Sequence, residues 1–159
     1  MHLDARGLAF STASAKAAAA YDYLVTGYLT FRADTPARLD ALLEADPEFA
    51  LAHCMKGYFA MLAFKQAVVP VAVQAARTAD SLATDATPRE RSHIAALTAW
   101  AEGELDRAIA TWESILRVHP HDAVAFRLAH FVNFWLGRPQ DMVASVERVI
   151  PAWSEDIPG

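Results

Sequence analysis

The chain has 159 residues, of which 54% are hydrophobic and 21% are charged, and it contains 6 glycines. This length suits one domain that buries a core without disulfides or structural metals. A formal net charge of −5, with no dense run of lysine and arginine, argues against nucleic acid or an anionic membrane as the main partner. The single cysteine, Cys54, excludes an intrachain disulfide and a cysteine-based zinc cluster.

The composition favours an all-α fold. Alanine, leucine, glutamate and arginine dominate long stretches, whereas the alternating patterns and β-branched clusters typical of strands are rare. The opening segment "MHLDARGLAFSTASAKAAAA" has no apolar run long enough for a signal peptide, and no stretch approaches the ~18 apolar residues of a membrane span. We therefore expect a soluble cytoplasmic protein with about seven helices.

Prolines, glycines and capping residues mark the ends of the predicted helices. Ser14 precedes an alanine-rich run, Asp34 precedes a proline in a first helical turn, and Thr87 with Glu90 has the spacing of a capping box. The predicted helices span residues 14–31, 36–45, 47–64, 70–84, 88–102, 122–136 and 139–152. The stretch "GELDRAIATWESILRVHP", residues 103–120, reads as a further complete helix with a breaker at each end.

A repeat of about 34 residues begins at Arg89, where a helix, Gly103, a second helix and Pro120 follow one another. The interval from Arg89 to Gly103 recurs from Ala123 to Gly137. The unit resembles the tetratricopeptide repeat, in which small residues let two helices approach and a bulky residue fills the space beside them. The matching residues are Ala96, Ala108, Trp112, Ile115 and Pro120.

A more specific resemblance covers essentially the whole chain in order. The blocks "DARGLAFSTASAKAAAAYDYLVTGYL", "ADPEFALAHCMKGY", "ATPRERSHIAALTAWAEGELDRAIATWESILRVHPHDAVAFRLAHFVNFWLG" and "MVASVERVIPAWSEDIPG" are similar to the tetratricopeptide-repeat protein 38 family. This resemblance implies an α-solenoid of antiparallel helix pairs, wound as a right-handed superhelix. It supplies no catalytic residue. Members of that family are longer, so further helix pairs are expected after this segment.

The resemblance also divides the single domain, residues 1–159, into units. Residues 14–47 form an N-terminal helix pair, 48–87 a unit with an insertion around 64–70, 88–121 the best-matching unit, and 122–153 the last unit. In the last unit His130 and Met142 stand where the family has small residues, so the helix approach there departs from the pattern.

In such repeats one face of each first helix lines a concave groove. The residues placed there by the resemblance are candidates for binding: Tyr58, Met61, His93, Leu97, Trp100, Arg127, Phe131, Phe134 and Trp135. An apolar and aromatic groove would suit a protein or peptide partner. Alternatively these side chains are core, covered by further helices or by the N-terminal helix. A clamp for a terminal carboxylate does not fit, because only Arg127 offers the required charge.

No catalytic motif, metal ligand set or cofactor site is predicted. The sequence lacks HExxH, a glycine-rich phosphate loop and GxSxG, while His119 and His121 flank Pro120 in a turn that explains them. Arg89 and Glu90 read as an ordinary charged start of a helix.

Three hypotheses about function follow from these observations. The leading one is a non-enzymatic module that binds a protein or peptide in the groove. An enzyme or small-molecule binder with a pocket near His93, His130 and Arg127 is the alternative, and a homo-oligomer through the terminal helices is the third. A groove filled by the N-terminal helix would weaken the first two.

Overall fold

The computed structural model describes residues 2–158, which form eight α-helices and one two-stranded antiparallel sheet. The strands are β1 His2–Leu3 and β2 Ala9–Phe10. The helices are α1 Ala15–Leu29, α2 Thr35–Ala45, α3 Ala50–Leu62, α4 Val69–Ser81, α5 Pro88–Ala101, α6 Leu105–Val118, α7 Ala123–Trp135 and α8 Pro139–Val149. The predicted helical class is confirmed, and each of the eight predicted ranges corresponds to one of the eight helices of the described chain, one more than the stated total of about seven. The short sheet was not predicted.

Local sequence explains where most helices begin. The Ser14 hydroxyl accepts a hydrogen bond from the first turn of α1, and Thr87 and Glu90 form both bonds of the predicted capping box on α5. Asp34 departs from the prediction. Its carboxylate does not cap α2 and instead pairs with Arg38 one helical turn later, at 3.1 Å.

Two glycines end helices in the left-handed conformation that favours this residue. Gly103 follows α5 with a φ of +83°, and Gly137 follows α7 with a φ of +67°. Phe64, just after α3, also has a positive φ of +50°, which is uncommon for a bulky residue. It opens the predicted insertion, which contains a 3-10 turn at Gln66–Val68 before α4 starts.

Each helix packs mainly against its neighbours in the sequence, and α3 also contacts α5. Very small residues mark the closest contacts. A Cβ atom added at Gly57 in α3 would lie 2.4 Å from Cδ2 of Leu97 in α5, so only glycine fits there without a shift of its neighbour. Ala108 and Trp112 of α6 are both fully buried, as expected for a small contact residue beside a large filling one.

The N-terminal segment folds back as a hairpin onto the helices. The Asp4 carboxylate accepts two backbone N–H groups of the turn at 2.8 and 2.7 Å, and Gly7 in that turn has a φ of +80°. Strand β2 ends at Phe10, which is fully buried with its ring 4.9 Å from Tyr21 and 5.5 Å from Phe49. The hairpin therefore contributes a large side chain to the core.

Candidate functional site

The structure separates the predicted groove residues into a buried group and an accessible group. Those in the core have at most 4% of their surface exposed: Tyr58, His93, Leu97 and Trp100. The accessible ones are half-buried or exposed: Met61, Arg127, Phe131, Phe134 and Trp135. A partner can reach only the second group in this conformation.

Two of these buried residues, Tyr58 and His93, belong to a hydrogen-bonded network that connects α3, α5, α6 and Asp122, the N-cap residue of α7. The Oδ2 atom of Asp122 accepts from Arg89 Nη1 at 2.8 Å and lies 3.0 Å from His93 Nε2. The Tyr58 hydroxyl donates to the His93 backbone carbonyl at 2.7 Å and lies 3.1 Å from His93 Nδ1. It also accepts from Trp112 Nε1 at 3.0 Å. A single chain of contacts thus joins four helices.

The surroundings of this network keep Asp122 ionised and keep Tyr58 and Cys54 neutral. Burial alone would raise the pKa of the Asp122 carboxyl, but the adjacent His93 and Arg89 reverse the effect and hold that pKa well below its usual range. Burial raises the pKa of the Tyr58 phenol well above its usual value, and also raises that of the Cys54 thiol. Tyr58 and Cys54 are therefore neutral near pH 7, and neither is an activated nucleophile.

A second set of contacts ties the N-terminal hairpin to the start of α5. Glu90 Oε1 accepts from the backbone N–H and the hydroxyl of Ser11 at 3.1 and 3.2 Å, and Arg89 Nη2 donates to the carbonyl of Ala9 at 3.1 Å. Arg89 is 4% exposed and Glu90 is fully buried. The expectation of an ordinary charged helix start is therefore wrong, since both side chains have specific buried partners.

Helix α1 packs against α3 beside the face assigned to the groove. The Tyr21 hydroxyl lies 3.9 Å from Met55 Sδ in α3, and the Tyr28 ring is 5.5 Å from that of Phe59. Met55 and Phe59 lie outside the set of groove candidates. Of that set, α1 reaches Arg127, which lies beside the Tyr28 phenol and lines a cavity together with Leu29.

An exposed aromatic surface lies at the C-terminal ends of α3 and α7. We call it the aromatic patch, formed by Phe64, Phe131, Phe134 and Trp135. The Phe64 ring lies 5.5 Å from Phe131 and 5.3 Å from Trp135, and Phe134 lies 5.8 Å from Trp135. Phe64 is 53%, Phe134 61% and Trp135 62% exposed. Phe64 was not among the predicted binding residues. Its signal in the sequence is a bulky apolar residue next to Lys65 in the predicted insertion, which is a place where an exposed side chain is expected.

Arg127 lies at a separate cavity between α1, α7 and the end of α8. The cavity has a volume of about 360 Å³ and is lined by Leu29, Ala123, Phe126, Arg127, Val146, Val149, Ile150 and Trp153. The predicted pocket that combined Arg127 with two histidines does not form here. His93 belongs to the buried network, and His130 packs against Phe126 outside the lining of this cavity.

Of the two histidines that flank Pro120, His121 has structural partners. His121 Nε2 lies 2.7 Å from the backbone carbonyl of Ala152, and its ring packs against Trp153. Across residues 2–158, no group of three or more His, Cys, Asp or Glu side chains is arranged to hold a metal ion. In the same range no helix combines the length and hydrophobicity needed to cross a bilayer.

Comparison with known proteins gives no assignment, because no family model matches the chain and no solved structure matches it.

Proposed function

We propose that this protein is a non-enzymatic interaction module of the tetratricopeptide type. In this proposal the antiparallel helix pairs stack as an α-solenoid with the right-handed superhelix of that repeat. The order of the helices, the glycine turns after α5 and α7, and the close approach at Gly57 support it. Its partner is a protein or peptide that presents apolar side chains.

The single observation that carries the proposal is the aromatic patch. Three large aromatic residues there, Phe64, Phe134 and Trp135, are more than half exposed, and Trp135 contacts both of the others. Contiguous exposed apolar side chains are rare on monomers unless they bind something, whereas single ones need no explanation. Aromatic residues also dominate the binding energy of many protein interfaces. An amphipathic helix of the partner is the element that fits such a surface best.

The test is affinity capture with the full chain and with variants that place a charge in the patch. Trp135→Asp and Phe64→Asp are expected to reduce recovery of the partner by about 30-fold, the effect of losing about 2 kcal/mol at a binding hot spot. Val118→Asp is the matched control, since Val118 is 71% exposed but is not part of the patch. Equal recovery with all three variants would contradict the proposal.

The homo-oligomer remains a second candidate because α8 has its own exposed apolar residues. Val143 is 56% exposed and the adjoining Ile150 is 59% exposed. Light scattering of the purified chain at high concentration separates the two ideas. A dimer that Val143→Asp dissociates and Trp135→Asp leaves intact would favour association through the terminal helices.

A further inference from the structure

The cavity beside Arg127 has an unusual distribution of polarity. The other residues that line it are apolar, and they come from α1, α7, α8 and the turn after α8. Among these apolar residues, Trp153 carries a polar side-chain group, its indole N–H. That N–H already donates to the backbone carbonyl of Pro120 at 2.9 Å. Arg127 is therefore the polar group that the cavity offers to a ligand.

The charge of Arg127 is not balanced by a carboxylate within the described chain. Among residues 2–158, no Asp or Glu oxygen lies within 4.0 Å of its guanidinium, whereas Arg89 has such a partner at 2.8 Å. A half-buried cation without a counterion costs free energy, because burial removes water without supplying an opposite charge. An anionic ligand would remove that cost.

The neighbours of the guanidinium leave hydrogen-bond donors available. Its central carbon lies 4.9 Å from the centre of the Phe31 ring, a cation–π contact. An arginine side chain carries five N–H donors. Arg127 also lies beside the Tyr28 phenol, whose pKa burial raises to about 12 in spite of the charge of the guanidinium and a hydrogen bond from it. Since Phe31 and Tyr28 engage only part of its five donors, a bound carboxylate can accept hydrogen bonds from Arg127.

We propose that this cavity binds an apolar monocarboxylate, with its hydrocarbon part among the apolar side chains and its carboxylate on Arg127. The volume of about 360 Å³ is at the lower end of the range for small-molecule sites, which suits a medium-chain alkyl or small aromatic acid. One guanidinium in apolar surroundings matches a singly charged ligand. A phosphate or a dicarboxylate would bury charge without enough donors.

The unmodified protein allows a test through ligand chemistry alone. Isothermal titration with sodium octanoate, octan-1-ol and sodium acetate compares the whole ligand with its tail and with its charge. Octanoate should bind at least about tenfold more tightly than either, since a charge-assisted hydrogen bond is worth about that factor. No octanoate binding at millimolar concentration, or equal affinity for octanol, would overturn the proposal.

Substitutions test whether the ligand binds in this cavity. Arg127→Gln is expected to weaken octanoate by about tenfold or more while changing octanol binding by less than about threefold. Arg117→Gln, an exposed arginine of α6, should leave both unchanged. Val146→Trp keeps Arg127 but fills the cavity, so both ligands should be lost. Octanoate binding unchanged by Val146→Trp would exclude the cavity as the site.

Two further arms keep the result decisive. Circular dichroism checks that each variant retains its helices, and if Arg127→Gln does not fold, the ligand series and Val146→Trp still decide. A tripeptide with a free C-terminal leucine tests the other source of an apolar carboxylate. Tighter binding of that tripeptide than of octanoate would replace the small-molecule assignment by recognition of a chain terminus.

Discussion

Asp122 is the carboxylate that contacts two buried basic side chains, Arg89 and His93. It is 2% exposed and is the nearest anion to both Arg89 and His93. Removing one member of a buried ion pair leaves its partner uncompensated, which costs about 3–5 kcal/mol. We therefore expect Asp122→Asn to lower the free energy of unfolding at pH 7 by at least about 3 kcal/mol, measured by urea denaturation.

Asp106→Asn is the control for this substitution. Asp106 pairs with Arg138 across two helices, but its side chain is 80% exposed, and exposed pairs are worth about 1 kcal/mol or less. Similar losses in the two variants would mean that burial does not decide the strength of the Asp122 network.

The same network fixes the sign of a pH effect. The folded-state pKa of Asp122 is below its unfolded value. Its contribution to stability is therefore complete above the unfolded pKa of about 4, declines as the pH falls below that value, and is gone once the pH has fallen through the folded-state pKa. The stability difference between the original chain and Asp122→Asn should therefore shrink as the pH falls from about 5. A difference that stays constant down to pH 2 would contradict this assignment.

At the scale of an element, α6 shows how side-chain size sets the distance between helices. Ala108 and Ala110 lie on the same helix, but Ala108 is fully buried and Ala110 is exposed. Ala108→Leu should overpack the contact and reduce the free energy of unfolding by about 1–3 kcal/mol. Ala110→Leu, with the same added volume, should change it by less than about 0.5 kcal/mol. Chemical denaturation of both variants distinguishes packing from helix propensity.

The helices were predictable because their signals are local. Pro88 with Thr87 and Gly103 mark ends that the backbone itself requires, so the sequence pattern and the structure agree there. The N-terminal hairpin was missed because its strands are two residues each, too short to produce an alternating pattern.

The buried network was missed for a different physical reason. Its bonds join residues 29 to 54 positions apart, such as His93 with Asp122 and Tyr58 with Trp112. The contacts of the hairpin with α5 span 79 or 80 positions, and no local pattern encodes either kind of pairing. The same long-range packing determines which of the candidate binding residues are buried and which are exposed. Tyr58 and Trp135 look equivalent on a helical face, but α5 and α6 bury the first and nothing in residues 2–158 covers more than part of the second.

At the scale of the whole molecule, the N-terminal hairpin connects elements that are distant in the sequence. Phe10 is fully buried and belongs to the same contiguous core as α1, α3, α5 and α6. Phe10→Ala should lower the free energy of unfolding by about 3–5 kcal/mol, the usual cost of removing a buried phenylalanine. Because the core is shared, this loss should act on the chain as one cooperative unit.

Two probes followed in one urea titration test that cooperativity. Far-UV circular dichroism reports the helices throughout the chain, whereas tryptophan fluorescence includes Trp100 and Trp112 in the core between α5 and α6. In Phe10→Ala both transitions should move to lower urea together, and Leu3→Ala, a residue 62% exposed in the same hairpin, should move neither. If the two probes separated in Phe10→Ala, the hairpin and α1 would unfold independently of α5 and α6. The bonds from Ser11 and Ala9 to α5 would then hold a peripheral segment in place without making it part of the cooperative core.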